Sequence, residues 1–278
     1  VAIPNRLHKT LQLAVALLLA LVVAWPVQAA VGTDTVPQRA ADELLRDRAV
    51  QFMQMINQAR RDPLAAAARL ELDPQQVRQA FVDSPWILDD GLPPLAWNEL
   101  LVSSADAHAR DMFARLYYAY VNPEGETVEQ RIAATGYRAL FVGESMNALF
   151  FDNFVALDQA FQLLVDTMLR DELTGNPAIE RNIFSPDISE IGVSFRAESI
   201  RLLDDQPYVY LLLADFAEPV RINKQLLVEY DQGSRLVVRP YGQERWLYPL
   251  TLRQGFAQFD FPEGGGELVV VGNDGIGS

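Results

Sequence analysis

Apolar side chains recur at three- and four-residue intervals over residues 42–61. Leu45, Phe52, Met53, Ile56 and Ala59 fall on one face, which predicts an amphipathic helix. Pro63 ends it, because proline cannot continue the hydrogen-bond ladder. Residues 64–72 and 74–81 predict two shorter helices. Residues 84–94 hold three prolines, a glycine and the pair Asp89-Asp90, which predicts a loop. Between 97 and 118, Leu101, Ala105, His108 and Met112 stand at i, i+4, i+7 and i+11 and form one stripe of a long helix. Thr127 and Gln130 have the spacing of a capping box for a short helix that Gly136 stops. A last helix over 156–173 gathers Leu157, Phe161, Leu164 and Met168 on one face.

Strand patterns fill the gaps. Residues 138–148 predict a strand broken at Gly143. Residues 188–196 alternate, with Ile191, Val193 and Phe195 on one side. Residues 208–216 are an almost continuous apolar run, as in a central strand covered on both faces. Beyond Glu218-Pro219 the helical periodicity stops. Five short β-type runs follow, over 225–230, 235–239, 246–252, 256–261 and 267–272, and predict a small antiparallel module. A module of about 55 residues has little core of its own, so it is expected to dock on the preceding domain. The chain thus divides into residues 1–30, a polar linker over 31–41, a domain over 42–218 and a β module over 219–278.

The first thirty residues change the picture of where the protein works. Arg6, His8 and Lys9 precede a run without polar side chains over 13–25, followed by Val27-Gln28-Ala29-Ala30. A basic start, an apolar middle and small residues at the end form a secretory signal peptide, with cleavage expected after Ala29 or Ala30. The run is short of the about 20 residues that a spanning helix needs, and an uncleaved anchor is the alternative. Cleavage leaves 37 acids against 21 bases and His108 as the one histidine. The mature chain is then expected to be secreted or periplasmic, with no transmembrane segment. The formal charge of −14 disfavours nucleic acid as a partner. The absence of cysteine excludes a disulfide scaffold, a thiolate zinc site and a cysteine nucleophile.

Eight short motifs stand in order: Asn57-x-x-Arg60-x-x-Pro63, Leu92-Pro93-Pro94-Leu95-x-Trp97-Asn98, Ala105-x-x-His108-Ala109-x-Asp111-Met112, Pro123-x-Gly125-x-Thr127, Gly136-Tyr137, Gly143-Glu144-Ser145, Arg181-Asn182-Ile183-Phe184-Ser185-Pro186 and Glu190-Ile191-Gly192-Val193. This ordered set resembles the CAP superfamily, also called SCP/PR-1-like, in its cysteine-free bacterial secreted branch, over about residues 42–218. The resemblance implies an α+β fold, an α-β-α sandwich, with the C-terminal antiparallel β module outside it. It also implies a central cleft lined by two histidines and two acids, a set that binds zinc in many members. Tyr120 stands where the first histidine belongs and Ile179 where the second belongs. The Gly-Glu-Asn acid survives as Glu144, with Ser145 in place of the Asn, and Thr167 falls at the fourth position.

A His-based zinc site is therefore not expected, and no cofactor is. Calcium at Asp89-Asp90, Asp152-Asn153 or Asn273-Asp274-Gly275 is an alternative, since loop oxygens suit that ion. His108, in an apolar stripe, reads as a buried, hydrogen-bonded histidine. Glu144 has two open roles: a structural carboxylate held by backbone N–H groups or by Arg181, or a cation or ligand contact. Its candidate companions in the cavity are Tyr120, Asn122, Ser145, Asn147, Ile179, Glu180, Arg181 and Asn182. The aromatic residues Tyr117, Tyr118, Tyr120, Phe150, Phe151 and Phe154 are candidates for an apolar groove. The reading is a non-enzymatic extracellular binding protein for a lipid-like ligand or an envelope or extracellular protein partner. The alternatives are a hydrolase or protease-like enzyme, or a calcium-dependent adhesion protein, using Glu144.

Overall fold

Helix α1 (Val36–Arg61) starts inside the stretch assigned to a linker and carries Phe52, Met53 and Ile56 on its buried face. The computed structural model describes residues 36–200, 207–220, 225–231, 234–241, 247–260 and 266–271, with side chains over 41–270 of these. Residues 1–30, where a signal peptide is expected, and Asn273-Asp274-Gly275 lie outside the described residues. Helices α2 (Pro63–Arg69) and α3 (Pro74–Ala80) each begin on a proline whose missing N–H costs nothing at that position. Asp62 and Asp73 cap them by accepting Ala65 N–H and Gln75 N–H. The expected loop over 84–94 contains a one-turn helix, α4 (Trp86–Asp90), which buries Ile87 and Leu88.

The motif residues hold the entry to the long helix. Asn57 donates to Leu95 O and accepts from Leu95 N, at 2.9 and 2.7 Å. Arg60 is 1% exposed and gives its guanidinium to the carbonyls of Pro93, Ile183, Ser185 and Ile188. Strand β1 (Ala96–Trp97) follows, and Asn98 caps α5 (Glu99–Arg115) by accepting Leu100 N–H. The α5 stripe is buried as its spacing predicts, at Leu101, Ala105, His108 and Met112. The Thr127–Gln130 capping box opens α6 (Val128–Ala134).

Strand β2 (Ala139–Phe151) runs unbroken through Gly143, against expectation. Helix α7 (Leu157–Leu173), strand β3 (Glu190–Ser199) and strand β4 (Tyr208–Pro219) complete the domain. The sheet order is β1-β3-β4-β2, with β1 parallel to β3 and the other pairs antiparallel. Side-chain alternation sends Val193, Phe195, Leu212 and Phe216 into one core with α1 and α7. The opposite face sends Met146, Leu211, Leu213 and Ala217 against α5 and α6. The result is three layers, helix–sheet–helix. Gly192 permits the close approach of α5, since a Cβ there would lie 2.1 Å from Val102 N.

Past β4, strands β5 (Gln225–Glu229), β6 (Arg235–Pro240), β7 (Leu250–Arg253), β8 (Phe256–Asp260) and β9 (Gly266–Val271) form an antiparallel β5-β8-β7 sheet and a β6-β9 pair. Leu252 and Phe256 join the main core, so the module docks through apolar contact. Gln258 accepts from Trp97 N at 2.6 Å and donates to Trp97 O at 2.8 Å, as a neighbouring strand would. No described helix is long and apolar enough to cross a membrane.

Candidate functional site

The segment Gly143–Ser145 lies mid-strand, and its alternation splits the candidate residues between two layers. Glu144 points to the α5–α6 side, while Ser145 and Asn147 point to the α7 side. The Glu144 side chain is 1% exposed. One carboxylate oxygen accepts from His108 Nδ1 at 3.1 Å, and the other is paired with Arg131 Nη2. Arg131 also donates to the carbonyls of Tyr120 and Glu126, both at 3.0 Å. A carboxylate only accepts, so Nδ1 carries the hydrogen of this bond. His108 Nε2 is buried and has no hydrogen-bond partner among the described residues.

Asp215 stands directly across from Glu144 in the β2–β4 register and is fully buried. Neither of its oxygens has a hydrogen-bond partner among the described residues. Ser104 Oγ on α5 is close enough to favour the ionised form without meeting hydrogen-bond geometry. Burial first, and the Glu144 charge second, raise the Asp215 carboxyl well above its ordinary value. Arg131 is the cation that faces this carboxyl pair, through its contact with Glu144. A cleft of about 400 Å³ opens between α5 and α6 beside this cluster, lined by Ser104, His108, Asn122, Glu126 and Arg131 among others.

On the α7 side, Asn182 seats its amide over Gly143, where a Cβ would lie 2.1 Å from Asn182 Oδ1. Its Nδ2 donates to Ser145 Oγ and Glu144 O, at 3.0 and 3.2 Å. The buried Glu172 holds this turn by accepting from the backbone N–H groups of Asn182, Ile183 and Phe184, at 3.1, 2.9 and 3.0 Å. Burial nevertheless pushes its carboxyl up to about 7.

The remaining candidates do not converge on Glu144. Arg181 lies 4.0 Å from the centre of the Phe81 ring and donates to Ala80 O, so it is not the Glu144 partner. Ile179 is half-buried and Glu180 exposed. Asn122 shapes its own turn, accepting from Glu126 N at 2.8 Å. Tyr120 is 43% exposed, and burial, then the charges of Glu144 and Glu180, raise its hydroxyl. Thr167 is exposed on α7 and bonds Leu163 O. His108, Arg131 and Asp215 were missed as a set. Asp215 left one signal, a lone acid in an otherwise apolar central strand.

A zinc ion does not fit this donor set. Tyr120 and Ile179 offer no imidazole, Glu144 is spent on Arg131 and His108, and among the described residues no group of three or more His, Asp or Glu is arranged to hold a metal. Asp89 and Asp90 are exposed at the end of α4.

The groove forms elsewhere, between the C-terminal turn of α5 and the sheet. Met112, Leu116, Tyr117, Tyr118, Ala148 and Phe150 line it, and its volume is about 110 Å³. Of the other aromatic candidates, Phe151 packs on Tyr210 and Phe154 on Tyr208.

The family described as CAP, the cysteine-rich secretory protein family, matches residues 53–199, just over half of the chain. No curated protein matches. Among solved structures, a crystal structure of an extracellular protein containing a SCP domain from Bacillus anthracis str. Ames matches with a TM-score of 0.38 and 14% identity. The match covers 67% of this chain and 45% of that protein, so this chain spans less than half its length. An outer surface protein from Borrelia burgdorferi matches with a TM-score of 0.30 and 13% identity, over 52% of this chain and 94% of that one.

Proposed function

We propose, on the premise that the chain belongs to the CAP, or cysteine-rich secretory protein, family, that it works outside the cytoplasm as a non-enzymatic binding protein for a small ligand with an apolar part. The groove at the end of α5 carries this reading. Leu116, Tyr118 and Phe150 stand 54%, 39% and 38% exposed around it. Large apolar side chains gathered at one concave surface lose free energy to water that a ligand recovers, about 0.8 kcal/mol per buried methylene. A volume of about 110 Å³ suits a short alkyl segment or a ring. The altered cavity supports the non-enzymatic part, because its surviving acid is held in an ion pair. The signal-peptide pattern supports the location.

The test is a titration with N-phenyl-1-naphthylamine, a neutral apolar fluorophore. Wild type is expected to bind one molecule. Ala148→Trp, which fills the groove from β2, is expected to weaken binding at least about tenfold at an unchanged melting temperature, a loss of about 1.4 kcal/mol. Equal binding by the two proteins, or none by wild type, would overturn the reading.

A further inference from the structure

We infer that the apolar groove and the α5–α6 cleft are the tail and head halves of one site, and that its ligand is a short-chain amphiphile with a neutral, hydroxylated head. This rests on reading the groove as a binding site. The two spaces share a wall. Tyr117 lines the groove, its hydroxyl donates to Asp111 Oδ2 at 2.6 Å, and Asp111 lines the cleft. The rings of Tyr117 and His108 are 6.1 Å apart between centroids, so the groove wall stands next to His108.

The cleft holds polar capacity that the protein does not use. His108 is 2% exposed and Ser104 2% exposed, and His108 Nε2 and Ser104 Oγ have no partner among the described residues. With Nδ1 committed to Glu144, Nε2 is left without a partner, and a buried polar atom in that state is costly. A ligand hydroxyl both donates and accepts, so it can partner Nε2 and Ser104 Oγ in either sense.

Charge selects the head. The cleft's two arginines are already engaged: Arg131 by Glu144 and two carbonyls, Arg115 by Asp111 and Glu124. The carboxylates of Asp111 and Glu126 stand at the rim. A phosphate or carboxylate head would meet those acids beside guanidinium charges that Glu144, Asp111 and Glu124 already balance, whereas hydroxyls donate to the acids and accept from Arg131 Nε, which has no partner among the described residues. The cleft, at about 400 Å³, sits in the lower part of the roughly 300–1,000 Å³ range of small-molecule sites and is the larger of the two spaces.

The experiment compares octyl β-D-glucoside, below its micelle concentration, with 1-octanol, methyl β-D-glucoside and octyl phosphate. It reads affinity by calorimetry and the His108 Nε2 nitrogen by NMR. The glucoside is expected to bind about tenfold tighter than 1-octanol, the increment of one well-made polar contact. It should also move the Nε2 resonance, which 1-octanol leaves in place. Ser104→Ala should shrink the glucoside's advantage and leave 1-octanol binding unchanged, and His108→Gln should do the same if it folds. Equal affinity for glucoside and octanol, with Nε2 unmoved, would overturn the head assignment while the groove reading stands. Tighter binding of octyl phosphate would overturn the neutral head. No binding of 1-octanol or the glucoside would overturn both readings.

Discussion

Glu144 is a carboxylate that its neighbours hold in place, and the cost of removing them can be forecast. Arg131 is 7% exposed and supplies the charge that balances it. Arg131→Met leaves a buried anion unpaired, a change that costs about 3–5 kcal/mol, read as a lowered urea midpoint. Adding Glu144→Gln should recover part of that loss, because the amide leaves no charge to compensate. A double variant as unstable as the sum of the singles would show that the two side chains do not act on each other. The chemistry of Glu144 was only partly legible. Alternation along β2 is visible in the sequence and separates Glu144 from Ser145 and Asn147, yet the candidate set grouped them by adjacency. His108, 36 residues away, and Arg131, 13 away, meet Glu144 only through the packing of two helices on the sheet.

Among the elements, α7 and the turn after it form one unit through Glu172. The folded state holds the Glu172 proton more tightly than the unfolded chain does, since burial lifts the carboxyl from 4.5 to about 7. Its contribution to stability is therefore complete below about pH 4.5 and is lost as pH rises through about 7. Asp215 and Glu190, also raised by burial, act in the same sense. The melting temperature is expected to fall between about pH 5 and pH 8, and Glu172→Gln should flatten that slope. An unchanged slope in the variant would place the titration elsewhere. Helix periodicity and proline boundaries located α1 to α3 and α5 to α7 in the sequence. Strand β1 and helix α4 were not legible. Two residues carry no period, and β1 exists because Trp97 and Ala96 meet β3 and Gln258. Gly143 looked like a break, but it is the seat of Asn182 within a continuous strand.

At the scale of the whole molecule, the β module is more than an appendage. Gln258 satisfies both backbone groups of Trp97, which is 1% exposed, and Leu252 and Phe256 complete the main core. Gln258→Leu should leave a buried donor and acceptor without partners, at about 1–3 kcal/mol each. The whole chain should still unfold in one transition, because the core is shared. Two separate transitions in the wild-type protein would contradict that sharing. The docking was expected from the module's small size, but its polar half was not legible, because Gln258 and Trp97 are 161 residues apart.

If this CAP-family chain binds through its apolar groove and not through a metal-binding cleft, an alkyl ligand should bind without any metal. Calorimetry of the wild-type protein with 1-octanol, run at several temperatures with and without EDTA, decides the point. One site is expected, with a negative heat-capacity change from buried apolar surface and no effect of EDTA. Binding that EDTA abolishes, or no binding at any temperature, would contradict the groove as the binding surface.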